Sequence, residues 1–345
     1  MGRLIPRAAS APRPPRNEHN AMRFFEGSIP RTAALRRPKI TLGMFDGVHR
    51  GHREVLRQLL AWARSTDSDA LVVTFDRKPR DALAGRTSDL ITSPRHRVRL
   101  FEQMGMDAAL MLRFTRKLVA TEPETFVKEF LVNRIGATGV LLGHDTRFGR
   151  NGRGNMPMMK SLGRELGFEA CSVPVVELDG KPISSTRVRR AIRRGDLPAV
   201  ERLLGRPFSL LGTVVRGTGR GEKIGFPTAN LDLHREVQPP EGVYVTRALV
   251  NGVWLDSVTN VGRAPTLRPN GPPHRSETPI IETHLLDFSG RKLYGKEIEV
   301  LFVKFIRLEE VFESPEALGR RIAADVAEAR VHLAAAAASR HKGKP

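Results

Sequence analysis

Apolar runs and amphipathic runs alternate along the chain from Pro38 to Gly143. "KITLGMF" reads as a strand, and beyond the glycines Val55, Leu56, Leu59, Leu60 and Ala63 recur at helical spacing. "ALVVTF" (Ala70–Phe75) follows as a buried strand, "PRHRVRLFEQMG" as a helix, "AALMLRF" as a strand, "PETFVKEFLVNRIG" as a helix and "GVLLG" (Gly139–Gly143) as a strand. Strands that alternate with helices predict a parallel sheet covered on both faces, with ligands at the carboxyl ends of its strands.

After Gly195 the pattern changes. "LPAVERLLGRPF" reads as a short connecting helix, and beyond it "LLGTVV", "GVYVTRALV", "VWLDSVTNV", "PIIETHLLDF" and "EIEVLFVKFI" are strand-like runs with Gly- and Pro-rich turns between them. Five such runs without a helix predict an antiparallel barrel or sandwich. A closing helix follows Ser314-Pro315, with Leu318, Ile322, Val326 and Ala329 on one face. The expected division is a disordered basic tail over 1–36, an α/β domain over 37–195, a linker over 196–208, a β domain over 209–338 and a fraying tail over 339–345.

The length of 345 residues accommodates two such cores. A single cysteine, Cys171, excludes a disulfide framework and a cysteine-built zinc site, and fits a reducing compartment. No apolar run approaches the roughly 18 residues of a membrane span, so a soluble, cytoplasmic protein without a membrane partner is expected. The net charge of +20 fits either an enzyme that handles anions or a basic nucleic-acid-binding protein. Eight arginines against Glu18 and Glu26 put six of those charges in residues 1–37, and the rest are dispersed. With aromatic content at 6% and no interleaved basic and aromatic run, nucleic acid is the weaker reading.

Candidate chemistry begins at "LGMFDGVHRGHREVL", where a strand turns into a helix and His49 and His52 sit three residues apart beside Gly47 and Gly51. A helix N-terminus offers unpaired amides and a partial positive charge, which suits a phosphate, and two imidazoles add donors. A metal is less well served, because no third histidine or acidic ligand of suitable pattern is near. Surface histidines at a turn are the alternative. In "PISSTRVRRAIRRGD", Ser185, Thr186 and Arg189 combine hydroxyls and a guanidinium at a second helix start, either as a phosphate grip or as a plain cap with a solvated basic face.

"GMFDGVHRGH" and "ISSTRVR" resemble the nucleotidyltransferase motifs of the bacterial bifunctional riboflavin kinase/FAD synthetases. The resemblance implies a Rossmann-like α/β domain that transfers AMP from ATP to FMN by direct in-line attack, with pyrophosphate leaving. It implies that His49 and His52 stabilise charge on the reacting phosphates and that Ser185, Thr186 and Arg189 hold the triphosphate. Gly43, Phe45, Asp46 and Gly51 fall in its phosphate-binding loop. "GHDTRFGRNGRG" resembles the family's Gly-x-Asp-Phe-x-Phe-Gly segment and makes Asp145 a further site residue, with His144 and Thr146 as departures. A third departure is "TFDRKP", where Lys78 replaces a histidine; a lysine meets phosphate as a point charge but is no acceptor near neutral pH. A kinase with a weakened adenylyltransferase domain is therefore a second reading.

"GTGRGEKIGFPTANLDL" carries the other candidate site. Gly217, Gly219, Gly221 and Gly225 permit a loop that wraps phosphates, and Thr228 and Asn230 offer oxygens to a hydrated Mg²⁺. It is not a Walker A loop, since no Gly-Lys-Ser/Thr follows the glycines. The string resembles the riboflavin kinase signature of the same family, followed in order by "GVYV", "NVGRAPT", "IETHLLDF", "LYGKEIEV" and "FIRLEEVF". That implies a six-stranded antiparallel β-barrel with a C-terminal helix, γ-phosphoryl transfer from ATP to riboflavin, Glu282 as general base, and Mg²⁺ at both sites. Glu222 stands where relatives often carry a basic residue, with Lys223 or Arg220 near enough in sequence to compensate. The expected partners are riboflavin, FMN and ATP.

Overall fold

Strands rich in β-branched and leucine side chains make the first layer. In the computed structural model, which describes residues 21–30, 32–78, 81, 88–217, 219–262, 265–266, 274–275, 280–290 and 293–341, the chain divides into two compact units, Met1–Ser185 and Thr186–Pro345. That division falls ahead of the boundary at residue 195 expected from sequence. Expected features at 1–20, at 342–345 and at Arg263, Ala264 and Pro279 lie outside the described residues.

The first unit holds β1 (Arg23–Glu26), β2 (Lys39–Leu42), β3 (Ala70–Phe75), β4 (Ala108–Leu112), β5 (Gly139–Gly143) and β6 (Glu169–Val173), side by side as β1-β4-β3-β2-β5-β6. Every pairing is parallel. β3 and β4 are buried throughout, as strands covered on both faces must be. Leu71 and Val73 join one core with the π-helix Phe126–Arg134 and with α3 (Met156–Leu166). Val72 joins the other with α1 (Arg50–Ser65) and α2 (Pro94–Gln103). The five apolar positions read from α1 are all buried, together with Trp62.

The expected tail over 1–36 needs correction, because Arg23–Glu26 is an ordered edge strand whose residues pair with Ala108 to Met111. Four residues around two phenylalanines give no period to detect; Phe25 packs on the core while Phe24 is exposed. β6 and α3 were also not foreseen. β6, "EACSV", buries only Val173, so its edge position leaves no apolar run.

In the second unit β7 (Ser209–Val215), β8 (Thr228–Asp232), β9 (Gly242–Val250), β10 (Val253–Gly262), β11 (Ile280–Leu285) and β12 (Glu297–Arg307) close a barrel in the order β8-β11-β10-β9-β12-β7. All pairings are antiparallel. Five of the strands are the expected runs, and the sixth is "TANLD" at the end of the glycine-rich stretch. Fully buried Thr246, Ser257, Thr259 and Thr283 link their hydroxyls at 2.8–3.0 Å, so the polar groups packed inside the strands are paired. Outside, Val243, Val245 and Val258 meet Val326, Ala329 and Leu333 of the closing helix.

Two helices, α4 (Ser185–Arg193) and α5 (Leu197–Leu204), precede the barrel, and α6 (Pro315–His341) closes it. Ser314 Oγ accepts from the Ala317 amide at 3.2 Å, the cap that the Ser-Pro pair announces. α6 runs through the alanines to His341, where a fraying tail from 339 was expected; alanine is the best helix former, so the run extends the helix. Among the described residues no helix is long and apolar enough to cross a membrane.

Candidate active sites

The loop 43–49 leaves β2 where the order of connections reverses, with β3 on one side and β5 on the other. That is the switch point at which an open parallel sheet leaves a crevice. The loop is tightly wound, with Phe45, Gly47 and Val48 at φ of 47°, 88° and 41°. For a β-branched residue such as Val48 this is strained backbone, of order 1–3 kcal/mol. Complete burial of Val48 and a 3.0 Å bond from its amide to the Phe45 carbonyl hold it there. Only glycine fits at 47, since a Cβ there would lie 2.9 Å from Ile91 Cδ1.

This winding aims His49 at the start of α1. Its Nδ1 accepts from the His52 amide at 3.4 Å, which makes it the N-cap, and the two rings stack at 3.6 Å. Phe45 presses edge-on against His52 at 5.2 Å and against Phe101 at 5.8 Å, so its ring belongs to the core. The Nδ1 atom of His52 is buried and has no hydrogen-bond partner among the described residues. Burial, then the neighbouring His49 and Arg97, hold the His52 imidazole well below its ordinary pKa, so it is neutral. A neutral imidazole donates from one nitrogen only, and its tautomer is open to selection by a ligand.

Asp46 is buried and faces inward: its Oδ1 accepts from the amides of Ile91 (2.8 Å) and Thr92 (3.1 Å). Gly47 donates to Thr92 Oγ1 at 2.9 Å. The Asp46 side chain thus stitches the loop to the segment before α2. Its carbonyl accepts from Ser185 Oγ at 2.9 Å, which fixes the first residue of α4 to the same loop. The Lys78 ammonium donates to Ser88 Oγ and the Asp89 carbonyl, both at 2.9 Å, and lies 3.9 Å from Asp46 Oδ2. Gly43 and Gly51 sit in the loop and in the first turn of α1. Asp145 stands just past the carboxyl end of β5, with its side chain 86% exposed and 3.7 Å from His144 Nδ1. Thr186 and Arg189 lie in the first turns of α4, in the second unit.

Arg97 escaped the sequence reading. It is fully buried on α2, and its guanidinium donates to the carbonyls of Met44 (2.5 Å) and Phe75 (2.8 Å) and to Thr74 Oγ1 (3.0 Å). It ties together the carboxyl ends of β2 and β3 beneath the histidines. Its signal was present: Arg97, Leu100 and Phe101 share the apolar face of the helix.

In the second unit a cavity of about 650 Å³ opens on the barrel wall. Gly217, Gly219, Thr228, Asn230 and Glu282 all line it, whereas Gly225 (φ 85°) turns the loop without lining it. Strand register brings these residues together. Asn230 faces Glu282 across β8 and β11, and Asn260 faces Glu282 from the other side across β10. Ile281 and Leu285 are buried while Glu282 alternates away from them, as period two requires. A Cβ on Gly217 would collide with the Asn230 side-chain amide, so glycine there lets the loop close on that residue. Glu222, in the helical turn Arg220–Lys223, also lines the cavity.

Several polar residues of this wall were not singled out from sequence. Asn260 Nδ2 donates to Glu309 Oε1 at 3.0 Å, and its Oδ1 is buried with no partner among the described residues. Arg307 grips Asp325 of α6 through Nε at 3.0 Å and Nη2 at 2.7 Å. His284 hydrogen-bonds the Pro227 carbonyl through Nδ1 at 2.8 Å. Each partner lies many residues away, so sequence alone gave no pairing. Leu318 and Ile322 of α6 line the cavity as well.

Family models match in the same two places: FAD synthetase over residues 32–187 and riboflavin kinase over 204–333. The bifunctional riboflavin kinase/FMN adenylyltransferase of Haemophilus influenzae is 34% identical over 91% of this chain and 97% of that protein. The Escherichia coli K12 protein of the same description is 36% identical over 84% of this chain and 91% of its own. Among solved structures, a macrolide-efflux protein from Streptococcus pneumoniae superposes with a TM-score of 0.71 at 29% identity, covering 86% of this chain and 94% of that one. Similarity that spans both units and nearly the full length of these relatives makes this chain a member of the bifunctional riboflavin kinase/FMN adenylyltransferase family.

Proposed function

We propose that the barrel unit phosphorylates riboflavin to FMN with ATP, and that the front unit then adenylylates FMN to FAD and releases pyrophosphate. The observation that carries this reading is the alignment of Glu282 with Asn230 on the wall of a cavity that the glycine loop helps to line. At that wall the Glu282 carboxylate accepts the proton of the ribityl 5′-hydroxyl as its oxygen bonds to the γ-phosphorus and ADP departs. Gly217 and Gly219, which line the cavity, are assigned to the phosphates.

Thr228 and Asn230 would hold Mg²⁺. Both are neutral oxygen donors, and no cluster of three or more His, Cys, Asp or Glu residues able to hold a metal occurs among the described residues. That suits an ion bound through few protein oxygens and the substrate phosphates. Bound there, Mg²⁺ supplies neutralisation of the phosphate charge.

In the front unit an FMN phosphate oxygen attacks the α-phosphorus of ATP and the bond to the β-phosphate bridge breaks. His49 and His52 stabilise the oxygens that gain charge, and Gly43, Phe45, Asp46 and Gly51 shape the loop that receives them. Ser185, Thr186 and Arg189 are assigned to the triphosphate by their motif, and Asp145 to the rim of the site. We assign adenylylation to the domain expected over 37–195, with β1 added to its sheet, and phosphorylation to the domain expected over 209–338. A cytoplasmic location goes with this reading, since both reactions draw on ATP. Lys78, engaged with Ser88 and Asp89 in a histidine's position, favours a second reading in which only the kinase runs.

Purified protein supplied with riboflavin, ATP and Mg²⁺ is expected to form FMN and then FAD, read by chromatographic separation of the flavins. FMN without FAD would leave the kinase alone. No phosphorylated flavin at all would overturn the proposal.

A further inference from the structure

The loop that covers the kinase cavity needs a fixed exit if Thr228 and Asn230 are to face the ligand. Its interior is fastened by its own backbone: Phe226 donates to the Gly221 carbonyl at 2.8 Å and Ile224 to the same carbonyl at 3.2 Å. Where the loop becomes β8, the chain passes through Pro227, which has no amide to donate. The carbonyl of Pro227 is the polar group at that joint, and His284 Nδ1 lies 2.8 Å from it. A carbonyl only accepts, so Nδ1 carries the proton. The edge of Phe226 meets the same imidazole at 5.5 Å between ring centres.

We propose that His284 is a positioning residue of the kinase site, clipping the exit of the glycine loop to β11 so that Thr228 enters β8 oriented toward the cavity. The inference rests on the riboflavin kinase reading given above. Register supports it, since His284 stands opposite Thr228 and Glu282 opposite Asn230. The clip and the proposed base therefore lie two residues apart on one face of one strand, and the two proposed metal ligands lie at the same spacing on its neighbour. Both the neutral Nδ1–H tautomer and the imidazolium donate to a carbonyl, so the clip persists whether or not the ring is protonated. His284 touches the phosphate-covering loop from the barrel side, so its loss bears on nucleotide binding while leaving the Glu282 carboxylate in place.

Replacing His284 by leucine removes the donor at a half-exposed strand position, and replacing it by asparagine puts an amide N–H near where Nδ1 stood. His284→Leu is expected to raise KM for Mg·ATP about threefold to tenfold, the range that one lost neutral hydrogen bond supplies. kcat at saturating ATP and FAD formation from supplied FMN are expected to hold. Hydrogen exchange at the amides of residues 219–226 in the ligand-free protein is expected to speed up in His284→Leu, and His284→Asn to restore both KM and protection. Unchanged exchange and KM in His284→Leu would overturn the clip, as would a His284→Asn protein as impaired as the leucine variant. If the unaltered protein formed no FMN, the kinase reading itself would fail, while the exchange comparison would still judge the clip.

Discussion

His52 is an imidazole that folding keeps uncharged. Its pKa is driven well below 6.5 by burial first and by His49 and Arg97 after it. In the unfolded chain the same ring titrates near 6.5, so below that pH the unfolded state binds a proton that the folded site refuses. The stability tied to this ring is whole above 6.5 and drains away as pH falls toward the depressed folded value. Thermal denaturation of the front unit is expected to show that loss on acidification, and His52→Asn to flatten it; equal slopes in both proteins would contradict a buried neutral ring. On the reading proposed above, Glu282 has the opposite kind of role, as an acceptor at the reacting hydroxyl. Glu282→Ala is expected to lower FMN formation by about 10²–10⁴, the usual contribution of a general base, and to leave adenylylation of supplied FMN intact. Matching losses of both activities would argue against separate sites. The histidine pair was readable from its spacing beside glycines, and Glu282 from its motif and strand alternation. The part played by Asp46 was not, because Ile91 and Thr92, which it holds, approach only once β2, β3 and α2 have packed.

At the scale of elements, α6 is bound to the barrel by ion pairs as well as by apolar contact, and the most buried of these pairs is Arg307 with Asp325. Arg307 at the end of β12 and Asp325 on α6 meet at 2.7 Å with side chains 11% and 3% exposed. Removing one member of such a pair strands the other charge away from water, which costs about 3–5 kcal/mol. Asp325→Ala should therefore lower the melting temperature of the barrel markedly, whereas Asp325→Leu combined with Arg307→Met should recover part of the loss by replacing the pair with packing. A single variant as stable as the parent would show that water reaches the pair. The face of α6 was legible as Leu318, Ile322, Val326 and Ala329, but the pair that fastens it joins residues that no periodicity connects. The same distinction separates strands that were seen from those that were not. β3 and β9 are longer, mostly buried runs, while β1 is four residues around two phenylalanines and β8 begins inside a loop whose glycines dominate its pattern.

For the whole molecule, the change from alternating helices and strands to strands alone announced two different cores, and the structure has them. Leu71, Val73 and Val72 pack on the two faces of the parallel sheet, and Val243, Val245 and Val258 pack under α6. Net charge gave no such division, since its surplus is scattered and reports only that anions are welcome. Because the chain separates into Met1–Ser185 and Thr186–Pro345, a ligand of one core need not steady the other. Riboflavin binds the cavity of the barrel unit on the reading proposed here, and at about a hundredfold excess over its Kd it would stabilise that unit by about 2.7 kcal/mol. Hydrogen exchange followed by mass spectrometry tests how far this travels. The slowest amides of β9 and β10 are expected to slow by about a hundredfold, the kinetic equivalent of that free energy, while those of β3 and β4 keep their rates. An equal gain in both sets would mean that the two cores open as one cooperative body, and that flavin bound at the kinase cavity stabilises the adenylyltransferase unit as well.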